Sequence, residues 1–247
     1  MKTTGNTIFI TGGTSGLGLG LALRFHELGN KVIVGGRRKE LLDQIATDYE
    51  GIDTVVLDVE DPTSIAAAFD QVTTAHPEVN VVLTMAGIMQ PENLLDPEHL
   101  RIAESTITTN LLGTIRVLNH FLPHLANQQD ATVLTVSSGL AFVPLALTPA
   151  YSATKAAIHS YTESLRIQLA GTGIQVIELV PPPVQTTLMN QQDNPQAMPV
   201  DDYLTETIAI LRDQPDVTEV QVDRVKFLRL AERTGAYDQT LAAVNSH

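Results

Sequence analysis

Tyr151 and Lys155 stand four residues apart in the segment 138–155, SGLAFVPLALTPAYSATK, which Ser138 opens. The run AYSATKAAIHSYTESLRIQL has no internal Gly or Pro, so it is free to form a helix in which positions i and i+4 stack on one face. An ammonium about 4 Å from a phenolate contributes roughly 4 kcal/mol at an effective dielectric of about 20. That attraction brings a phenol down toward neutral pH, where a proton-transfer catalyst works best. The expectation is a tyrosine acidified by a lysine and working as general acid or base. The same spacing also arises as a surface tyrosine beside a solvated lysine, so the pair needs support from the rest of the chain.

The 247 residues, 43% of them hydrophobic, suffice for one sizeable α/β domain with a full core. There is no cysteine and no tryptophan, which removes disulfide frameworks, thiolate metal sites and cysteine nucleophiles. The N-terminus enters a short apolar strand pattern at once, and no stretch approaches the roughly eighteen uninterrupted apolar residues of a membrane span. Neither secretion nor a membrane is expected, and the cytoplasm is the expected compartment. A formal net charge of −13 argues against a nucleic-acid partner, which needs an excess of Lys and Arg. Against that background Arg37, Arg38 and Lys39 form a local basic cluster, either an anion site or a solvated helix start.

Apolar runs at 7–11, 31–35, 53–57, 80–85, 131–137 and 173–180 alternate with helical patterns such as Leu17, Leu21, Ala22, Phe25 and Leu28. Asp61-Pro62 reads as a helix start. This βαβ order predicts a single-domain, Rossmann-type, doubly wound parallel sheet flanked by helices, with ligands at the carboxyl ends of its strands. The Pro-rich stretch 180–199 and the polar tail after about residue 215 break the rhythm.

The turn after the first strand, TGGTSGLGLG, carries Gly12, Gly16 and Gly18 and opens a helix, the context in which glycines let backbone N–H groups approach a pyrophosphate. The second strand ends at Gly36-Arg37-Arg38. An acid there would accept from an adenosine ribose hydroxyl, whereas arginines, with Gly36 leaving room, suit a 2′-phosphate, so the expected cofactor is NADP(H). Asp58, at the end of the third strand, is placed either to accept from the adenine amino group or to cap its own loop.

Taken together these motifs resemble the short-chain dehydrogenase/reductase family over about residues 5–190. TGGTSGLG at 11–18 is similar to the family's cofactor turn, DV at 58–59 to its adenine contact, and MAG at 85–87 stands where NAG is usual. NLLG at 110–113 matches the NxxG motif, and SS at 137–138 precedes YSATK. The resemblance implies a catalytic tetrad of Asn110, Ser138, Tyr151 and Lys155. In it Tyr151 transfers the proton, Ser138 holds the carbonyl oxygen, Lys155 binds the nicotinamide ribose and acidifies Tyr151, and Asn110 positions a water. It also implies cofactor contacts at Thr14, Ser15, Leu17, Val59, Ala86, Gly87, Pro181, Val184 and Thr186. Pro182 stands where the family commonly has glycine, which resembles the branch typified by the oxidoreductase of the D-alanylation operon. Met85 replaces an asparagine that ties strands together, and the tail lacks the usual closing strand.

No GxSxG elbow surrounds Ser137 or Ser138, and His120 and His124 lack the HExxH context, so neither a serine hydrolase nor a metal site is expected. Residues 1–247 read as one NADP(H)-dependent oxidoreductase domain with a substrate lid at 185–199. Segments 139–147, 89–95 and 185–199 carry neither Lys nor Arg, which points to uncharged ketones, aldehydes or secondary alcohols as substrates. Non-redox chemistry at the Ser/Tyr pair and a cofactor-sensing protein without turnover are the rival readings. Apolar helices around 97–127 and 150–170 suggest a homodimer, with a tetramer as the larger alternative.

Overall fold

The computed structural model describes residues 1–246. Its strands are β1 (Thr7–Thr11), β2 (Lys31–Gly36), β3 (Ile52–Val56), β4 (Val81–Thr84), β5 (Thr132–Val136), β6 (Gln175–Leu179) and β7 (Glu219–Val220). They form one parallel sheet in the order β3-β2-β1-β4-β5-β6-β7. The chain reverses its travel across the sheet between β1 and β4. Loops leaving the carboxyl ends of these two neighbours part there and open a crevice.

Helices α1 (Gly16–Glu27), α2 (Lys39–Asp48) and α7 (Val200–Asp213) cover one face, and α3 (Pro62–Ala75), α5 (Gly113–Leu125) and α6 (Pro149–Gln168) cover the other. The strand period of two sorts side chains between the faces. Ile8 and Ile10 pack with Leu21 and Phe25 of α1, while Phe9 stacks on Phe121 of α5 at 5.0 Å. Helix α3 starts as its sequence predicts: Asp61 Oδ1 accepts from Thr63 N at 2.8 Å, and Pro62 opens the first turn.

Helix α4 (His99–Thr106) runs into α5 through a π-helical stretch, Ile107–Leu112, which holds Asn110. The strand tie expected to suffer from Met85 is made differently: Ala86 N donates to Thr11 Oγ1 at 3.3 Å, joining the ends of β4 and β1. The expectation that the tail lacks a closing strand is corrected. Glu219–Val220 pairs with Glu178–Leu179, a strand of two residues that is too short to show as an apolar run. Beyond it α8 (Lys226–Arg229) and α9 (Tyr237–Val244) fold back, and Leu228 and Ala231 pack with Val143 and Leu241.

Candidate active site

At the crevice lies a cavity of about 1150 Å³. Its first end is the turn between β1 and α1. Gly12 has φ +68°, and a Cβ there would meet Ala86 Cα at 2.6 Å; a Cβ on Gly18 would lie 2.3 Å from Gly12 O. Only glycine lets this turn close against the end of β4. No side chain caps the N-terminus of α1, and its first turn carries no acid. Its N–H groups and positive end are therefore available to an anion. Arg38 lies over the turn, donating from Nη2 to Thr14 Oγ1 at 3.0 Å and Ser15 Oγ at 3.2 Å. Arg37 turns away to Glu60 at 3.3 Å, an acid that also takes the Thr109 hydroxyl at 2.6 Å. This cradle and its donor set fit a dinucleotide.

Gly36 has a different use from the expected one. The space in which its Cβ would sit holds the methyl of Thr14, at 2.5 Å, so the missing side chain makes room for the turn. Gly16, Leu17, Val59, Gly87, Pro181 and Val184 line the same cavity, as does Thr186, whose Cγ2 would lie 3.6 Å from a Cβ on Gly16. Asp58 is not on the wall; its Oδ1 accepts from Glu60 N at 3.0 Å and caps its own loop.

Ser138, Tyr151 and Lys155 converge on the second end of the cavity, all three buried. Ser138 leaves β5 and begins a short 3-10 turn, its Oγ accepting from Leu140 N at 3.1 Å. Tyr151 and Lys155 do share one face of α6, with Nζ 5.5 Å from the ring centroid. Their electrostatics differ from the expectation. Burial pushes the Tyr151 phenol up to about 12, opposed only in part by the Ser138 hydroxyl. It also pulls Lys155 down to about 8, with the charge of Glu178 opposing. Desolvation is the first cause of both shifts, and neither group is moved by the other. Asn110 sits behind this wall. Its Oδ1 accepts from Ile88 N at 2.8 Å and its Nδ2 donates to Ile88 O at 2.9 Å and Thr154 Oγ1 at 3.3 Å. Its carboxamide thus links the loop after β4 to α6.

The segment 185–199 is clasped at its base. Val184 and Met198 bridge in parallel, and Met198 N donates to Pro183 O at 2.9 Å. Within it, Met189 and Asn190 both take left-handed φ values.

Some wall residues escaped the sequence reading. Asn245, just past α9, accepts from Ala146 N at 2.6 Å and donates to Pro144 O at 3.1 Å, and with Val244 it lines the cavity. Nothing in the sequence signals a contact across so long a separation. Glu92, by contrast, falls within the 89–95 segment expected at the pocket, and it caps α6, its Oε1 accepting from Ala150 N at 2.8 Å. Ser137 Oγ is buried on the cavity wall with no hydrogen-bond partner. His120 packs on Phe69 and His124 Nε2 meets Val79 O at 3.1 Å, so the two histidines serve the core.

Residues 6–197 match the family model described as short chain dehydrogenase. The chain is 36% identical over 252 residues to an uncharacterized oxidoreductase, DltE, of Bacillus subtilis, covering all of this chain and 99% of that one. This agrees with the branch that the double proline resembles. A short chain dehydrogenase from Burkholderia cenocepacia, solved in complex with NADP, superposes with a TM-score of 0.81 at 27% identity and 98% coverage of each chain. A 3-ketoacyl-(acyl-carrier-protein) reductase from Brucella melitensis, complexed with NADH, gives 0.78 at 25% identity, covering 91% of this chain and 100% of that one.

Proposed function

The chain belongs to the short-chain dehydrogenase/reductase family, and from that premise we propose that it is an NADP(H)-dependent carbonyl reductase of the cytoplasm, acting on uncharged ketones and aldehydes. The observation that carries the reading is one cavity joining an arginine-covered glycine turn to the Tyr151 phenol and the Ser138 hydroxyl. The solved relatives named with NADP and NADH indicate that the fold accepts either cofactor. Arg38, already aimed at the hydroxyls of Thr14 and Ser15, supports the phosphorylated one, because a guanidinium fork matches a phosphate.

When bound, the nicotinamide supplies the hydride. Ser138 and Tyr151 offer two hydroxyls to one substrate oxygen and so stabilise the negative charge that grows there. Tyr151 then hands over its proton. An alkoxide is a stronger base than a phenolate, so the transfer runs downhill even from a phenol held near 12. Lys155, charged below about 8, faces the resulting phenolate and opposes its charge. Alcohol oxidation would need the phenolate at the outset, which burial disfavours. This supports reduction as the working direction.

Leu140, Leu145, Leu147, Met89, Leu188 and Met189 give the substrate end its apolar walls, and Glu92 adds a carboxylate. An anionic substrate would lie there without a cation, at a cost of several kcal/mol. Exposed Leu100, Ile107 and Leu112 on the α4–α5 helix support a homodimer.

The test is loss of NADPH absorbance with an aryl ketone and a 2-keto acid of similar size. The ketone should show the higher kcat/KM, and Tyr151→Phe should lower turnover by about 10²-fold or more. A higher value for the acid rejects the substrate class, and undiminished reduction by the Phe variant rejects the mechanism. Tight NADPH binding with no turnover on any carbonyl would leave a cofactor-sensing protein instead.

A further inference from the structure

Along α6, Tyr151, Lys155 and His159 follow one another at intervals of four, so the catalytic face continues into the interior. Glu178 of β6 meets it there. This carboxylate has no exposed surface, and His159 Nδ1 lies 2.9 Å and 3.1 Å from its two oxygens. In the sheet register Glu178 stands opposite Thr135, and the next residue, Leu179, opposite Val136, whose carbonyl oxygen takes Lys155 Nζ at 2.8 Å. The backbone of Glu178 is therefore one register step from the strand position whose carbonyl anchors the Lys155 ammonium.

The other charges around it are already assigned. Glu219 of β7, paired in register with Glu178, is held bidentately by Arg229 of α8 at 2.7 Å and 3.0 Å. Arg229 also lies over the Phe142 ring, which packs edge-on against His159. His159, Glu178 and Glu219 lie close enough together to invite a metal ion, but the guanidinium is the cation of that cluster. Glu163 is mostly exposed, 3.9 Å from His159 Nε2. From α6, β7 and α8 the groups that share the Glu178 charge are Lys155 and His159, together with Arg229, which is held first by Glu219.

A carboxylate buried inside a sheet face is costly and adds nothing to packing that an apolar residue would not. We propose that Glu178, steadied by His159, is a positioning residue that keeps Lys155 in its ammonium form at the base of the active site. The inference rests on the role given to Lys155 above. Burial alone drives Lys155 toward the neutral amine, and the Glu178 charge is the influence that opposes it.

The titration of Lys155 itself tests this, followed through the 13Cε and 15Nζ signals of lysine-labelled protein and assigned by the signal lost in Lys155→Met. In Glu178→Gln the Lys155 midpoint should fall by about one to three pH units, while Lys31 and Lys226 stay unmoved. Glu178→Asp, which keeps the charge but draws it back by one methylene, should give a smaller fall and serves if the Gln variant does not fold. An unchanged midpoint in a folded variant overturns the proposal. Failure of both variants to fold does so too, because Glu178 would then be a structural residue. The alkaline limb of ketone reduction should move down with the midpoint. A shifted midpoint in a protein that reduces no carbonyl would reject the reductase reading and leave the positioning role standing.

Discussion

Lys155 Nζ donates to the carbonyl oxygen of Val136 at 2.8 Å, so a backbone bond to β5, and not the phenol of Tyr151, fixes its ammonium. Because burial lowers this lysine to about 8 and raises Tyr151 to about 12, the first proton lost on raising the pH belongs to Lys155. Turnover in ketone reduction should be level below about pH 8 and fall above it, while Tyr151 stays protonated. A kcat profile that stays flat until the phenol range would remove Lys155 from the step. Stability carries the same signature with its own signs. Between about 8 and 10.5 the unfolded chain holds the Lys155 proton and the folded one does not, so this group's contribution rises with pH. Between 10.0 and about 12 the folded chain alone keeps the Tyr151 proton, and that contribution falls.

The alternation of strands and helices and the parallel sheet were legible because they depend on local pattern. Ile8-Phe9-Ile10 is an apolar run that lies in the sheet buried on both sides, and the glycines Gly12, Gly16 and Gly18 follow it directly. The sign of the Tyr151 shift was not legible, because spacing sets which groups meet and says nothing of how much water they lose. Nor was the use of Gly36, since a missing side chain looks the same whether a ligand or the Thr14 methyl fills its place. Asn245 meeting Ala146 depends on how the whole tail folds back.

The two arginines after β2 should separate on mutation. Arg38→Ala should weaken NADPH by about tenfold or more, about 1.4 kcal/mol, and NADH far less. Arg37→Ala should have the smaller effect, because its guanidinium is engaged with Glu60. Cofactor fluorescence titrations measure both. Equal affinity of the unmodified protein for the two cofactors would sink the assignment.

Asn245→Ala removes two hydrogen bonds that hold the 144–146 backbone against α9. At about 1 kcal/mol for each bond, KM for a bulky ketone should rise by up to about thirtyfold with NADPH affinity unchanged. Steady-state kinetics beside a cofactor titration distinguish this from general loosening, which would weaken both.

Leu100 and Ile107 are 56% and 42% exposed, two turns apart on one helical stretch, and Leu112 lies further along it. Light scattering at micromolar concentration should report a dimer, and Leu100→Lys with Ile107→Lys should give a folded monomer. A monomer without any substitution would refute the pairing.

Because Val244 and Asn245 line the same cavity as Gly12 and Gly18, one hollow is walled from opposite ends of the chain. The tail is thus no appendage: a change at Val244 or Asn245 reshapes a wall of the cavity while the glycine turn, the sheet and α6 keep their own contacts.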